Sequence, residues 1–277
     1  MFDDKVYRNY LEENTSLAYS TIDTYIRIIK EYYKKYKEVD EIYIRKFISK
    51  SIRENKSYHK KYAIKHYLKF IGKEEIYKTI PKIKVRGREK LGTYLPKDKI
   101  KQIIFNIKHH KYRDIAYLQY LTGARAFEII SLKSKNIIIN DEEKYIRIMI
   151  VGKGSKTRIT FLDYKYKNLL LQYMGDEYLF FWVMGYTKKE NQVEAMHIIH
   201  NMRNELYKFL NRSGEEFGVR TLGTHDLRRN FAEEIRKKTK DIYVVKKLLG
   251  HSCIETTLRY FNDNPENIKD IITKHQE

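Results

Sequence analysis

The chain of 277 residues lacks features that mark several common protein classes. It has a single cysteine, Cys253, so an intrachain disulfide is impossible, which fits a reducing compartment. Its longest apolar run, residues 179–184, is far too short to span a bilayer. No charged-then-apolar signal stands at its N-terminus. We therefore expect a cytoplasmic protein with no membrane partner.

The sequence also lacks the residue patterns that bind metals. His109 and His110 are adjacent, while His197 and His200 are three positions apart with no matching carboxylates. No internal repeat or low-complexity tract is present. We expect neither a metal site nor any cofactor.

Positive charge is what the chain has in excess. Its 56 Lys and Arg outnumber 36 Asp and Glu, which gives a net charge of +20. Residues 1–90 contain 23 basic and 13 acidic residues, and 23 − 13 = +10, half of the total charge. Such an excess is typical of proteins that bind nucleic acid, although a solvated lysine-rich surface gives the same composition.

Apolar periodicity predicts two domains. Residues 1–80 form helices, because apolar side chains recur there at spacings of three and four, and Asp40 is a candidate cap. One such stripe consists of Ile22, Tyr25, Ile26, Ile29, Tyr33 and Tyr36. Residues 81–93 form a basic linker, and residues 94–277 form the second domain.

The second domain is helical after Pro96 but changes period near its middle. Residues 145–151 and 157–162 alternate like strands around a turn, which predicts a hairpin, and residues 178–183 are a possible short strand. The pattern is helical again from residue 169 onward. The predicted fold class is therefore mainly α with a small antiparallel β-sheet.

Arginine and histidine side chains in the second domain are candidates for holding a phosphate. Arg125 lies in an apolar setting, where a guanidinium needs a partner or an anionic ligand, and Glu128 is a natural partner three residues on. His225 and Arg228 share a face of a predicted helix for which Thr224 is a plausible cap. A structural Arg–Glu pair and an ordinary polar pair are the alternative interpretations.

Lys153 and Tyr260 are candidates for chemistry at that phosphate. Lys153 lies in the hairpin turn, where a flexible lysine suits donation of a proton to a departing oxygen. The turn is not a nucleotide-binding loop, because Arg147 replaces its first glycine and Gly154 replaces its Ser or Thr. Tyr260 follows His251 by nine positions and offers an oxygen nucleophile.

A DNA-binding helix-turn-helix without enzymatic activity is the competing interpretation. Residues 222–250 contain basic helices with a break near Asp241, which would bind DNA without cutting it. This interpretation leaves Arg125 and Tyr260 without a function.

Taken together, four segments resemble the tyrosine recombinase (phage integrase) family. They are TGARAFEIISL at 122–132, VGKGSKTRITFL at 151–162, THDLRRNFAEE at 224–234 and LLGHSCIETTLRY at 248–260. They occur in the order and spacing of the family. The resemblance implies an N-terminal helical SAM-like core-binding domain, which closes with the catalytic domain as a clamp around DNA.

The resemblance also implies the role of each matched residue. Arg125 and Arg228 would hold the non-bridging phosphate oxygens, and His251 would bond to the phosphate. Lys153 would be the general acid, His225 a base or hydrogen-bond partner, Tyr260 the nucleophile and Glu128 a supporting residue. Asn136, Arg229 and Asn230 depart from residues that are frequent in the family, but none of these changes removes a catalytic group. Residues expected to contact DNA are Lys82, Lys84, Arg86, Arg88, Lys90, Lys156, Arg158 and Arg229.

The implied enzyme is a site-specific recombinase that cuts and rejoins double-stranded DNA through a 3′-phosphotyrosyl intermediate. Four strand cuts on two sites imply a homotetramer in the synaptic complex. Within the family we expect Xer-like resolution of chromosome or plasmid dimers, with an integrase of a virus or mobile element as the alternative. A type IB topoisomerase-like nicking enzyme has related chemistry but is usually larger.

Overall fold

A computed structural model of the protein describes residues 2–17, 19–53, 59–79, 94–152, 156–175, 177–180 and 192–258. The chain divides into two compact units, Met1–Lys90 and Leu91–Glu277. Outside the described residues lie Lys153, Tyr260, the predicted linker at 81–93 and the C-terminal tail.

The described part of the first unit is helical. Its helices are α1 (Asp4–Asn14), α2 (Tyr19–Lys35), α3 (Glu41–Arg53), α4 (His59–Phe70) and α5 (Glu74–Lys78). Asp40 caps α3 by accepting hydrogen bonds from the backbone N–H groups of Ile42 and Tyr43, at 2.7 and 3.4 Å. The predicted cap at Asp40 is therefore confirmed.

An aliphatic and aromatic core holds these helices together. The predicted stripe on α2 packs inward, with Ile22 and Ile29 buried and Tyr33 partly buried. Tyr33 also contacts Tyr67 of α4 through a hydrogen bond of 2.7 Å between their hydroxyls. Apolar burial and satisfied hydroxyls together fix the packing of α2 on α4.

The second unit combines helices with one small sheet. Its described helices are α6 (Lys97–Phe105), α7 (His110–Thr122), α8 (Ala126–Ile130), α9 (Lys167–Leu171), α10 (Gln192–Glu216), α11 (Thr224–Thr239), α12 (Ile242–Leu249) and α13 (Ile254–Leu258). Its strands are β1 (Ile137–Asn140), β2 (Tyr145–Val151) and β3 (Thr157–Asp163).

The strands pair in the order β1-β2-β3, antiparallel throughout. Alternate residues of β2, Ile146, Ile148 and Ile150, are buried against the helices. The Gly152 N–H donates to the Lys156 carbonyl at 2.7 Å and closes the base of the hairpin. The predicted hairpin is confirmed, and β1 is an addition that the sequence patterns did not reveal.

Two left-handed glycines end the helices that precede the site residues. Gly123 ends α7 with φ 63°, and Gly250 ends α12 with φ 67°. Helix α7 packs against α11. Thr224, predicted as the cap of α11, is instead its first residue: Gly223 is the N-cap, and its N–H donates to the Asp226 carboxylate at 2.9 Å.

The observed architecture confirms the predicted fold class, mainly helical with a small antiparallel sheet in a two-domain chain. The possible strand at 178–183 is not formed by its described residues, because Tyr178 makes only an isolated bridge to Lys133. Over the described ranges, no helix is long and apolar enough to cross a membrane.

Candidate active site

Arg125 lies at the start of α8, directly after the turn that ends α7. Its backbone N–H donates to Glu128 Oε2 at 2.8 Å, and its Nη1 donates to Oε1 at 2.7 Å. The Arg125 side chain is nevertheless 39% exposed. The predicted Arg125–Glu128 pair is present, and it holds the guanidinium in place while leaving part of it open to a ligand.

Glu128 is the buried acid that several cations of the site share. Its side chain is 2% exposed, and Arg158 of β3 binds it with both terminal nitrogens, at 3.2 and 2.7 Å. Arg228 Nη1 lies 3.7 Å from the same carboxylate. Burial raises the pKa of Glu128, but the hydrogen bonds from Arg158 and Arg125 outweigh it and bring the pKa to about 2. Glu128 is therefore ionised at neutral pH.

Arg228 is fully buried at 0% exposure. Its Nη1 donates to the Gly123 carbonyl at 2.8 Å, and its Nη2 donates to the Leu249 carbonyl at 2.6 Å. Arg228 thus ties α11 to the turn before Arg125 and to the end of α12.

His251 completes this cluster and touches Arg228 directly. Arg228 Nη2 lies 3.0 Å from His251 Nε2, and since an arginine can only donate, Nε2 accepts. The proton is therefore on Nδ1, which lies 2.9 Å from Thr257 Oγ1 and donates to it. Burial, followed by the charges of Arg228 and Arg125, lowers the pKa of His251 to about 4. His251 is neutral at pH 7.

His225 stands near both arginines but faces outward. It is exposed, whereas Arg228, three residues along the same helix, is buried. Burial of part of its ring and the charges of Arg228 and Arg125 lower the pKa of His225. The neutral imidazole that results is able to accept a proton.

Lys153 and Tyr260 lie outside the described residues, but a described residue that precedes each of them adjoins the cluster. A Cβ built on Gly152 would lie 3.1 Å from Glu128 Oε1, so the base of the hairpin adjoins the site. Thr257, three residues before Tyr260, bonds to His251. The roles of Lys153 and Tyr260 stay predictions.

The residues expected to contact DNA differ in their surroundings. Lys156 is exposed, and Arg229 is half-buried and pairs with Asp226 at 3.3 Å. Arg158 is only 10% exposed and faces inward, because its Nε also donates to the Leu248 carbonyl at 3.1 Å. Lys82, Lys84, Arg86, Arg88 and Lys90 lie outside the described residues. DNA contact by any of these residues stays a prediction.

Sequence reasoning missed two residues that support the site. Arg158 is predicted from the sequence to contact DNA, but no sequence pattern indicates its bonds to Glu128 and to the Leu248 carbonyl. Gln119 was not singled out, although an amide inside the apolar run of α7 was a usable signal; it is 1% exposed and bonds to the residues before Arg125 and His225.

The arrangement thus presents one partly open arginine and one neutral imidazole above a buried network of Glu128, Arg158, Arg228 and His251. Residues 93–267 match the model of the phage integrase family. This chain belongs to that family.

Individual relatives agree with this assignment. The tyrosine recombinase XerD of Staphylococcus epidermidis is 26% identical, over 97% of this chain and 96% of that protein. In fold, the chain is similar to a XerH site-specific recombinase bound to a palindromic difH substrate in a post-cleavage complex, with a TM-score of 0.67, 20% identity and coverage of 99% and 85%. A lambda integrase tetramer bound to a Holliday junction gives a TM-score of 0.66, 16% identity and coverage of 94% and 76%.

These similarities confirm the family, the Xer-like character and the enzyme class that the four motifs predict: a site-specific recombinase, which breaks and rejoins DNA strands.

Proposed function

We propose that the protein cuts DNA at a specific site with the Tyr260 hydroxyl and reseals the strand with a different 5′ end. The observation that carries this proposal is the grouping of Arg125, Arg228, His225 and His251 in one cluster, although up to 126 positions separate them in the sequence. Such a cluster concentrates hydrogen-bond donors and positive charge where a phosphodiester gains negative charge during attack.

The proposed cleavage conserves the number of phosphoester bonds. A bond forms between the Tyr260 oxygen and phosphorus while the bond from phosphorus to the 5′ oxygen breaks. His225, neutral at pH 7, accepts the phenolic proton, and Lys153 gives a proton to the departing 5′ oxygen. The 3′-phosphotyrosyl bond retains the energy of the original bond, so a 5′-hydroxyl from a second duplex reverses it without ATP.

The two arginines enter this reaction differently. Arg125 is partly exposed, so an incoming phosphate meets it first. Arg228 is fully buried, so neighbouring groups must be displaced before it can contact a phosphate. The imidazole of His251 is one such group, because its Nε2 accepts a hydrogen bond from Arg228 Nη2. We infer that DNA binding moves His251 and frees Arg228 for the scissile phosphate.

A nicked duplex tests the chemistry. Its sequence is first selected from a randomised pool by binding to the full chain, and the nick lets the cut fragment diffuse away and traps the covalent adduct. The wild type is expected to give a protein–DNA adduct on a denaturing gel, and Tyr260→Phe is expected to bind without forming one. Tyr243→Phe, a change at a tyrosine with 68% exposure, is the matched control and keeps the adduct. An adduct in Tyr260→Phe would exclude Tyr260 as the nucleophile, and its absence in the wild type would favour a non-catalytic DNA-binding protein.

We further propose that two duplexes are joined by four copies of the chain, because exchange of two duplexes needs four strand cuts and each copy supplies one Tyr260. Head-to-tail contacts that close a ring suit such an assembly.

Resolution of chromosome or plasmid dimers is the proposed role, supported by similarity to XerD over nearly the full length of both chains. The alternative, integration, is supported by the near-equal TM-score of lambda integrase. A plasmid with two directly repeated sites distinguishes them: resolution gives two circles, whereas an integrase also joins separate plasmids.

A further inference from the structure

Gln119 connects the two turns that lead into Arg125 and His225. Its side-chain nitrogen Nε2 donates to the Ala124 carbonyl at 3.2 Å and to the Thr224 carbonyl at 2.9 Å. Ala124 directly precedes Arg125, and Thr224 directly precedes His225. One amide group therefore links the backbone at both positions.

The orientation of this amide is fixed by its partners. Both neighbours are carbonyl oxygens, which only accept, so the nitrogen must face them. The side chain is 1% exposed, and within the described residues its oxygen has no hydrogen-bond partner. Water cannot readily replace the two bonds, because the site is closed to solvent.

The turn before Arg125 is held from a second direction by Arg228, which donates to the Gly123 carbonyl at 2.8 Å. Arg228 belongs to the proposed catalytic machinery, so its replacement disturbs chemistry and positioning together. The hydrogen bonds that the Gln119 side chain donates within the described residues go to backbone carbonyls, so replacing Gln119 tests positioning without removing a proposed catalytic group.

We propose that Gln119 is a positioning residue that sets the separation between Arg125 and His225 by joining the carbonyls of Ala124 and Thr224. This inference rests on the proposed function. Without the amide, the buried Ala124 carbonyl and the partly buried Thr224 carbonyl each lose a hydrogen bond, and the two turns shift relative to each other. Displacements of about 1 Å reduce rates by roughly a hundredfold when they misalign reacting groups.

Gln119→Met removes the donors while nearly preserving size. With the selected nicked duplex in single turnover at saturating protein, we expect adduct formation to slow by roughly tenfold or more, with an unchanged DNA dissociation constant. Tyr120→Phe is the matched control, since its hydroxyl bonds to Glu234 and so links the same helices, α7 and α11, at a different place. It is expected to lower the unfolding temperature but not the cleavage rate.

A double-mutant cycle with Arg125→Lys separates positioning from general loosening. If Gln119 acts through Arg125, Gln119→Met slows the Arg125→Lys enzyme less than it slows the wild type, whereas Tyr120→Phe acts additively. Should Gln119→Met fail to fold, Gln119→Leu removes the same donors with a shorter side chain.

The outcomes are distinct. No adduct from the wild type contradicts the proposed function itself. The inference about Gln119 is overturned if the wild type forms the adduct and Gln119→Met forms it equally fast or is slowed no more than Tyr120→Phe. It is also overturned if the effects of Gln119→Met and Arg125→Lys on the cleavage rate are additive.

Discussion

At the scale of single residues, the site depends on one carboxylate that balances several guanidinium groups. Glu128 accepts two bonds from Arg125 and two from Arg158, and all but Arg125 are largely shielded from water. A buried arginine without an acid would carry a large desolvation penalty. Glu128 therefore makes it possible for the fold to hold concentrated positive charge before any phosphate arrives.

Replacing Glu128 tests this balance. We expect Glu128→Gln to lower the free energy of unfolding by about 3 kcal/mol, because Arg158 then stays buried without a charged partner. Urea unfolding at pH 7 measures the change. Glu177→Gln is the matched control: Glu177 is 53% exposed where it pairs with Lys133, so its loss is expected to lower the free energy by less than about 1 kcal/mol. Equal losses in the two variants would contradict the role given to Glu128.

His251 gives the fold a dependence on pH whose direction follows from its pKa. The folded pKa is about 4, below the value near 6.5 of an unfolded histidine. The unfolded chain therefore binds more protons between these values, and the free energy of unfolding falls as pH falls through that window, by on the order of 3 kcal/mol. His251→Gln is expected to flatten this slope in urea titrations at several pH values, while His197→Gln, at an exposed histidine, keeps it. An unchanged slope in His251→Gln would mean that other groups cause it.

At the scale of elements, the sequence predicted those helices and strands whose apolar residues recur at a regular spacing over many positions. The stripe on α2 and the alternation in β2 and β3 were visible because many residues repeat the pattern. Strand β1 was missed because Ile137, Ile138 and Ile139 are consecutive and too few to show alternation. The cap of α11 was misplaced by one residue, because Asp226 bonds back to Gly223 and so makes Thr224 unnecessary as a cap.

The candidate site was predicted less completely than the fold. Motifs identified Arg125 and Glu128 as a pair, and spacing put His225 and Arg228 on one helix. Spacing cannot show that Arg228 is buried while His225 is exposed, because burial depends on where α7 and α12 pack. For the same reason, the inward direction of Arg158 follows from tertiary contacts alone.

The turn that ends α7 illustrates how an element positions the site. Gly123 has φ 63°, and a Cβ built on it would overlap the Phe231 ring of α11. Gly123→Ala therefore combines left-handed backbone strain, roughly 1–2 kcal/mol, with a steric clash. Gly218→Ala is the matched control, since Gly218 has φ 72° with nothing within 4 Å of the built Cβ. Thermal unfolding is expected to show a larger loss for Gly123→Ala, and equal losses would show that Phe231 yields without penalty.

At the scale of the whole molecule, the basic side chains have two roles: some pair with acids inside the protein, and others remain available to bind a polyanion. Some basic side chains form ion pairs within the protein, as Arg158 does with Glu128 and Lys30 does with Asp4. The remaining excess, +10 in residues 1–90 alone, is available to a polyanion. Affinity for DNA should therefore depend on the basic residues that are not paired with acids within the protein, rather than on the total number of basic residues.

The basic residues of the predicted linker offer the sharpest test of that distinction. Changing Lys82, Lys84, Arg86, Arg88 and Lys90 together to Gln removes five charges that we predict to meet phosphates. Since each neutralised phosphate contributes roughly 0.9 to the slope of log affinity against log salt, the slope should become shallower by up to about 4.5 units. Fluorescence anisotropy with the selected duplex at several salt concentrations measures it. The control changes five lysines that form ion pairs within the protein, with the same loss of net charge: Lys30, Lys133, Lys165, Lys167 and Lys208. A slope that falls equally in both variants would show that total charge, and not the linker, governs binding.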